Sequence, residues 1–116
     1  MSYNLFLDDL RDPNKFLKDI RTWVTVRSYS AFVKVINEQG LPKLISFDHD
    51  LPYQQPDGDY YTEKTGLDCA KWLVEYCNKN GHNLPKYQVH SMNVEGTKNI
   101  KSLLESYRKI QNKENA

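Results

Sequence analysis

Acidic residues and histidines cluster in three short stretches of the chain, each directly after an apolar run that is typical of a buried strand. The stretches are Leu7-Asp8-Asp9-Leu10-Arg11, Phe47-Asp48-His49-Asp50-Leu51 and Val89-His90-Ser91. Neighbouring parallel strands end at the same edge of a sheet, and ligands bind at that edge in open α/β folds. The placement therefore predicts a single site that combines carboxylates with imidazoles.

The carboxylates are suited to a divalent metal ion. Asp8 and Asp9 are adjacent, and like charges repel unless a cation or a proton separates them. Mg²⁺ needs only one or two protein carboxylates, because substrate phosphate and water complete its octahedron. Asp48 and Asp50 share a face if the backbone is extended. We expect Asp8, Asp9 and Asp50 to bind Mg²⁺ or Mn²⁺, and Asp48 to be a further ligand or to orient a histidine. Helix capping and turn formation are the alternative roles of these aspartates.

The two histidines are the candidates for proton transfer. Imidazole titrates near neutral pH, so His49 and His90 are the best general acid and base in the chain. A histidine after a strand also commonly has a purely structural role. Because each stands beside another polar candidate, we predict that His49, His90 and Asp48 are the catalytic residues.

Three further polar residues are candidates for binding phosphate. Arg11 follows the aspartate pair and can hold a phosphate bidentately, although a surface ion pair is its competing use. Ser91 and Asn93 can donate hydrogen bonds to a phosphate at the start of the last helix. Capping that helix is an equally good explanation of both residues. We predict that Arg11, Ser91 and Asn93 bind the substrate.

The size and charge of the chain restrict its partners. Its 116 residues suit one domain, over 1–116, with a proper core. Lys and Arg number 16 and Asp and Glu 15, which indicates neither an extended nucleic-acid surface nor a membrane surface. The sequence has no signal-like start and no span of roughly 20 apolar residues, so we expect a cytoplasmic protein. Cys69 and Cys77 lie in one predicted helix, and we expect both to be reduced core thiols. The oligomeric state stays open.

Apolar runs alternate with helical periods, which is the pattern of a parallel sheet covered by helices. Strands are predicted over 4–8, 22–27, 43–48 and 86–90. Helices are predicted from Asp12-Pro13 through Ile20, after a cap at Ser30, from Thr65 to Asn80, and after a cap at Asn93. The segment 52–64 is a predicted loop insertion, and 111–116 a frayed end. The elements predict a three-layer α/β sandwich with a shortened, mainly parallel four-stranded sheet.

Acidic residues after the first and third strands resemble those of the receiver domains of bacterial response regulators. That resemblance implies a flavodoxin-like fold, with Asp8 and Asp9 as metal ligands and Asp48 as the phosphate acceptor. Receivers end their fifth strand with a lysine that contacts the phosphoryl group, and the sequence has neither that strand nor a lysine at a matching end. Phosphorelay signalling is therefore disfavoured.

A closer resemblance is to the cyclic-phosphate processing receiver-like family, a group of small domains proposed to act on cyclic phosphate ends of nucleotides or RNA. Its motifs are Leu5-Phe6-Leu7-Asp8-Asp9-Leu10-Arg11-Asp12-Pro13, Ile45-Ser46-Phe47-Asp48-His49-Asp50-Leu51, Thr65-Gly66-Leu67-Asp68, and His90-Ser91-Met92-Asn93 with Gly96. Val94 departs from the family pattern, which often has proline there, and the loop after Leu51 is long. The resemblance implies a receiver-like fold and a cyclic-phosphate substrate.

We therefore predict a hydrolase, a metal-assisted phosphoesterase that opens a 2′,3′-cyclic phosphate on a nucleotide or RNA end. Two alternatives stay open. A non-catalytic module would use the same pocket to bind a phosphorylated nucleotide, and a degenerate receiver would accept phosphate on Asp48. The two histidines favour an enzyme, because phosphate binding alone needs cations and amides more than titratable imidazoles.

Overall fold

Four parallel strands and three helices make up the part of the chain that the structure describes. The structure is a computed structural model, and it describes residues 3–8, 11, 13, 22–48 and 65–114. The strands are β1 (Asn4–Leu7), β2 (Trp23–Val26), β3 (Leu44–Phe47) and β4 (Lys86–Val89). The helices are α1 (Tyr29–Gln39), α2 (Gly66–Asn80) and α3 (Val94–Glu114).

The strands form one sheet in the order β2-β1-β3-β4, with every neighbouring pair parallel. The predicted four-stranded parallel sheet is confirmed, and the chain has the receiver-like, flavodoxin-like α/β fold that the sequence indicated. The central strands are β1 and β3, which explains why their sequences are apolar on both faces. These two strands also carry the acidic motifs, so the strand order brings the motifs next to each other.

One face of the sheet packs against all three helices. Alternate strand residues point to the same face, and on this face they join the apolar stripes of the helices in one core. The fully or almost fully buried members are Leu5, Leu7, Phe32, Ile36, Ile45, Phe47, Cys69, Ala70, Leu73, Cys77, Ile100 and Leu104. This layer of helices holds the two central strands in fixed register.

The other face of the sheet has a different composition. Phe6 and Ser46, from the two central strands, lie on it and are both completely buried. The first predicted helix would belong to this side of a three-layer sandwich. Pro13 is helical and buried, whereas 14–21, the predicted loop 52–64 and the last residues 115–116 lie outside the described residues.

Capping residues define the ends of the helices. Thr65 and Asp68 form a reciprocal capping box at the start of α2, and Gly81 ends that helix in the left-handed conformation with φ 70°. Asn93 accepts a hydrogen bond from the backbone N–H of Gly96 at 2.8 Å, which confirms it as the cap of α3.

Two predicted boundaries are wrong. Helix α1 is capped by Ser28, whose Oγ accepts from the N–H of Ala31 at 3.2 Å, and not by Ser30, which already lies inside the helix. The segment 111–116 is not entirely frayed, because α3 continues to residue 114. Gln111 anchors this last part by donating to the carbonyl of His82 at 2.8 Å.

Both cysteines are free and buried, as expected of reduced core thiols. Burial raises the pKa of Cys69, and it raises the pKa of Cys77 to about 11. Both groups are therefore protonated at neutral pH and are poor nucleophiles. They contribute to the core and not to a reactive site.

The cap of α1 provides a test of the fold with a matched control. Ser28→Ala removes the side-chain acceptor at the helix start and should lower the free energy of unfolding by about 1 kcal/mol. Ser30→Ala, two residues away on the exposed surface of the same helix, should change it by less than about 0.5 kcal/mol. Urea denaturation of both variants measures the difference, and equal effects would contradict the assigned cap.

Candidate functional site

The parallel backbone ladder continues one residue beyond the ends of β1, β3 and β4. The bonds run from Asp8 N to Val26 O at 3.1 Å, from Asp48 N to Leu7 O at 3.0 Å and from His90 N to Phe47 O at 2.9 Å. Since Leu7, Phe47 and Val89 are in register, the residues that follow them form the next row across the sheet. Asp8, Asp48 and His90 therefore lie side by side.

These three side chains converge. One carboxylate oxygen of Asp8, one of Asp48 and one ring nitrogen of His90 all lie within 4.8 Å of one another. Asp8 is 1% exposed and Asp48 7% exposed, and the imidazole of His90 is 4% exposed. The described part of the chain thus brings one residue from each of the three predicted motifs into one buried cluster.

The imidazole of His90 is held on three sides. Its ring stacks on the ring of Phe6, with 4.5 Å between centroids and an interplanar angle of 6°. Its Nδ1 lies 2.7 Å from the hydroxyl of Ser46, and its Nε2 lies 3.0 Å from Oδ2 of Asp8. The side-chain amide of Gln88 donates to the same serine hydroxyl at 3.1 Å. The ring therefore has little freedom to rotate.

The direction of these hydrogen bonds follows from what each group can donate. An ionised Asp8 only accepts, so Nε2 of His90 must carry the proton that it shares with Oδ2. The Nδ1 of a neutral ring then accepts, and the hydroxyl of Ser46 donates to it while accepting from Gln88. These hydrogen bonds are all formed when His90 is neutral with its proton on Nε2, whereas protonation of Nδ1 would require the hydroxyl of Ser46 to turn and accept from it, so that its O–H loses this acceptor.

Burial lowers the pKa of His90, although the hydrogen bond and the negative charge of Asp8 raise it in part. The positive charge of Arg11 lowers it further. The net direction agrees with the hydrogen-bond pattern, since both favour the neutral ring. A neutral imidazole is the form that ligates metal ions.

Two arginines surround the aspartate of β1. The backbone N–H of Arg11 donates to Oδ1 of Asp8 at 2.9 Å, and its guanidinium lies 3.8 Å from Oδ2 and 3.4 Å from the carbonyl of His90. The Arg11 side chain remains 34% exposed, so it faces both the cluster and the solvent. Arg27 donates to the carbonyls of Asp8 and Arg11 at 3.3 and 2.8 Å and thereby links these two residues.

The other predicted substrate-binding residues act locally on the start of α3. The hydroxyl of Ser91 accepts from the backbone N–H of Asn93 at 3.1 Å, and Asn93 caps the helix through its side chain. These contacts match the capping role that the sequence left open. Binding of phosphate by either residue stays a prediction.

The described residues include only part of the predicted site. Asp8, Asp48 and His90 are brought together, and Arg11 lies beside them. Asp9, His49 and Asp50 lie outside the described residues, so their predicted roles as metal ligands and proton donor are not tested.

Sequence reasoning missed three residues that shape the cluster, namely Ser46, Gln88 and Arg27. Ser46 and Gln88 occupy strand positions two before Asp48 and His90, so the two-residue period of a strand places each on the same face as its site residue. A polar residue inside an otherwise apolar central strand was the available signal for Ser46. Arg27 directly follows β2, at the same edge as the acidic motifs.

The donor set fits a divalent cation. With metal–ligand distances of about 2.0–2.1 Å, octahedral ligand atoms lie roughly 3–4 Å apart, which the three atoms reach by small side-chain movements from their mutual limit of 4.8 Å. Two carboxylates and an imidazole supply mixed oxygen and nitrogen ligands. Such a set suits Mn²⁺ and related transition ions as well as Mg²⁺.

Comparison with protein families identifies the class. Residues 3–106 match the model of the cyclic-phosphate processing receiver domain. The chain therefore belongs to this family, as its motifs had suggested. No curated protein and no solved structure matches the chain. No helix among the described residues is long and apolar enough to cross a membrane.

The lowered pKa of His90 predicts a pH dependence of stability. The unfolded chain takes up a proton on this histidine near pH 6.5, while the folded chain resists it. The free energy of unfolding therefore falls as the pH falls below about 6.5. Above that value the neutral His90 makes its full contribution to the free energy of unfolding. Urea denaturation between pH 5 and 8 in metal-free buffer should show this slope, and His90→Gln should remove it. A slope that persists unchanged in the variant would assign it to other groups.

Ser46→Ala tests the hydrogen-bond chain. It leaves the Gln88 amide and Nδ1 of His90 without their shared buried partner, so the free energy of unfolding should fall by about 1–3 kcal/mol. The Nε2–H tautomer, which ¹⁵N NMR detects directly, should dominate in the wild type and lose its preference in the variant. Ser106→Ala, on the exposed face of α3, is the control and should change neither. An unaltered tautomer in the Ser46 variant would mean that Asp8 alone selects it.

Proposed function

We propose that this domain is a metal-dependent phosphoesterase that opens a cyclic phosphodiester, in particular a 2′,3′-cyclic phosphate on a nucleotide or RNA end. The observation that carries the proposal is the convergence of Asp8, Asp48 and His90 at the carboxyl edge of the sheet. Membership of the cyclic-phosphate processing family supports the substrate class. The geometry of the cluster supports the use of a divalent ion.

Asp8, Asp48 and His90 would hold Mg²⁺ or Mn²⁺, which supplies Lewis-acid polarisation of the phosphoryl oxygens and lowers the pKa of a bound water. Two buried carboxylates are costly unless cations offset their charge. Arg11 is the described cation that does so in part, and the neutral imidazole contributes a hydrogen bond from Nε2 to Asp8. Asp9 and Asp50 are the further proposed ligands from the same two motifs.

The environment of His90 favours a ligand role over the proton-transfer role that its sequence suggested. Its ring is 4% exposed, and both nitrogens already contact protein groups, so it is poorly placed to exchange protons with a substrate. For Nε2 to ligate a metal ion, the proton must reside on Nδ1. The hydroxyl of Ser46 accepts that proton's hydrogen bond as readily as it donates one, and such partners hold ligating histidines in metal sites. Proton transfer then falls to His49.

The reaction needs an attacking water and a leaving sugar oxygen. The water oxygen forms a bond to phosphorus, one of the two ring P–O bonds breaks, and the released sugar hydroxyl takes up a proton, which leaves a phosphomonoester. Arg11 is the proposed grip on the phosphoryl oxygens, because its guanidinium is partly exposed beside the carboxylates. His49 is the proposed source and acceptor of the protons.

The arrangement also bears on the two alternatives. A phosphate-sensing module needs cations and amides, whereas this cluster consists of two carboxylates and a neutral imidazole. A phospho-accepting receiver needs Asp48 accessible to a phosphodonor, and Asp48 is 7% exposed. The cluster therefore favours metal-dependent hydrolysis over both.

Hydrolysis of 2′,3′-cyclic and 3′,5′-cyclic mononucleotides and of an RNA with a cyclic phosphate end, each with Mg²⁺, Mn²⁺ or chelator, tests the proposal. We expect metal-dependent turnover of the 2′,3′-cyclic substrates and its loss with chelator. Asp8→Asn and Asp48→Asn should each lower kcat/KM by at least about 100-fold, because they remove a metal ligand. Turnover that is unaffected by chelator would contradict the metal-dependent mechanism.

His90 needs a readout that separates its two possible roles. His90→Gln should weaken Mn²⁺ binding by about 10- to 100-fold, measured by calorimetry, if the ring is a ligand. A loss of turnover at saturating Mn²⁺ with unchanged affinity would return His90 to proton transfer. His82→Gln replaces an exposed imidazole outside the cluster and should preserve both affinity and turnover. Circular dichroism of each variant verifies that the domain stays folded.

A further inference from the structure

A cationic groove lies beside the outer strand of the sheet, on the side of β4 next to α3. It has a volume of about 580 Å³. Its lining from β3 and β4 is Leu44, Lys86, Tyr87, Gln88 and Val89, and its lining from α3 is Lys101, Glu105 and Arg108. The proposed function does not use this groove, although one of its lining residues reaches the site.

Positive charge dominates the groove. Lys86 and Lys101 are exposed, and neither has an ion-pair partner among the described residues. Arg108 lies over the ring of Tyr87, 5.2 Å from its centroid, and donates to a backbone carbonyl at 3.4 Å. The hydroxyl of Tyr87 donates to Glu105, the one acidic residue of the lining. The lining thus has three cationic side chains and one acidic side chain, and the acidic one already accepts a hydrogen bond.

The groove reaches the part of β4 next to the site, because Val89 lines it and directly precedes His90. Gln88 lines it and also donates to Ser46, which contacts Nδ1 of His90. Lys86 stands four residues before His90 on the same strand, about 13 Å away along it. Helix α3 runs back from the site edge, and Lys101 and Arg108 lie two turns apart on it, about 10 Å. The cations therefore follow a path that leads away from the cluster.

We propose that this groove binds the sugar–phosphate backbone of single-stranded RNA next to its cyclic phosphate end, over about two to four nucleotides. The inference rests on the proposed function, because it assumes that the end of the strand occupies the cluster. Lys86 and Lys101 pair with backbone phosphates, and the planar guanidinium of Arg108 offers a surface on which a base stacks. A length of about 13 Å accommodates that number of nucleotides at about 3.4 Å or more for each. The near-zero net charge of the chain is compatible with this short, local contact.

The test measures binding of a fluorescent tetranucleotide that ends in a 3′-phosphate, which is not a cyclic substrate. Lys86→Ala/Lys101→Ala should weaken its binding roughly tenfold and reduce the slope of log affinity against log salt by about 1.4. Lys34→Ala/Lys71→Ala removes the same charge from exposed positions on α1 and α2 and should leave the affinity unchanged. Equal affinities of the wild type and of Lys86→Ala/Lys101→Ala, the groove variant, would falsify the proposal. Equal losses of affinity in the groove variant and in Lys34→Ala/Lys71→Ala would contradict it as well. Unlabelled RNA and an oligoglutamate of equal charge are then compared as competitors of the labelled tetranucleotide. If the oligoglutamate competes as effectively as the RNA, the assignment of RNA as the ligand is overturned.

Measurements of turnover distinguish a failure of the groove proposal from a failure of the proposed function. The groove variant should hydrolyse a 2′,3′-cyclic mononucleotide at the wild-type rate and lose the advantage in kcat/KM that a tetranucleotide with a cyclic end has over it. Absence of turnover of any cyclic substrate by the wild type contradicts the proposed function, and the binding result still decides the groove. If the wild type and the groove variant turn over both substrates with the same kcat/KM, the proposed function stands. The groove then has no part in it.

Discussion

The extension of the parallel backbone ladder past the strand ends is the constraint on which the site depends. Because the N–H groups of Asp8, Asp48 and His90 still bond to the neighbouring strand, their side chains keep the alternation of the strands and emerge on one face. Adjacent strands lie about 4.8 Å apart, which sets the carboxylates of β1 and β3 close together. Two carboxylates at that distance, both buried, require a cation or a shared proton, and this arrangement is compatible with a bound metal ion.

The strand order adds a second requirement. His90 follows β4, which is two strands from β1, yet its Nε2 reaches Asp8. The imidazole must therefore cross over β3, and a small residue at position 46 gives it room. Ser46 provides that space together with a hydroxyl for Nδ1, while Phe6 of β1 supplies an apolar surface under the ring. The low dielectric of this surface strengthens the hydrogen bonds of the cluster and keeps the imidazole neutral.

One face of the sheet forms the core, and the other face carries the candidate site. Among the described residues, the buried core side chains under α1, α2 and α3 are apolar apart from the two inert thiols. This core fixes the register of β1 and β3. The opposite face bears the hydrogen-bonded chain from Gln88 to Asp8. Packing on the first face therefore also holds the backbone from which the side chains of the second face project.

The sequence alone determined the sheet, the helices and the motifs that meet at its edge. Apolar runs of four or five residues and capping residues such as Thr65 and Asn93 are local signals, and each element is stabilised by residues that lie within it or beside it. The predicted cap of α1 was Ser30 instead of Ser28 because both positions hold a serine, and only the path of the backbone distinguishes them.

Only the tertiary structure decided which residues of the motifs touch and what surrounds them. The contacts of His90 with Asp8 and Ser46 join residues 82 and 44 positions apart, and they depend on strand order, which no local pattern encodes. Burial of the ring likewise depends on how distant elements pack, and it turned a predicted proton donor into a proposed metal ligand. The residue types determine which reactions the side chains can take part in. The fold determines which of these reactions are possible at the site, because distance and exposure are properties of the packed chain.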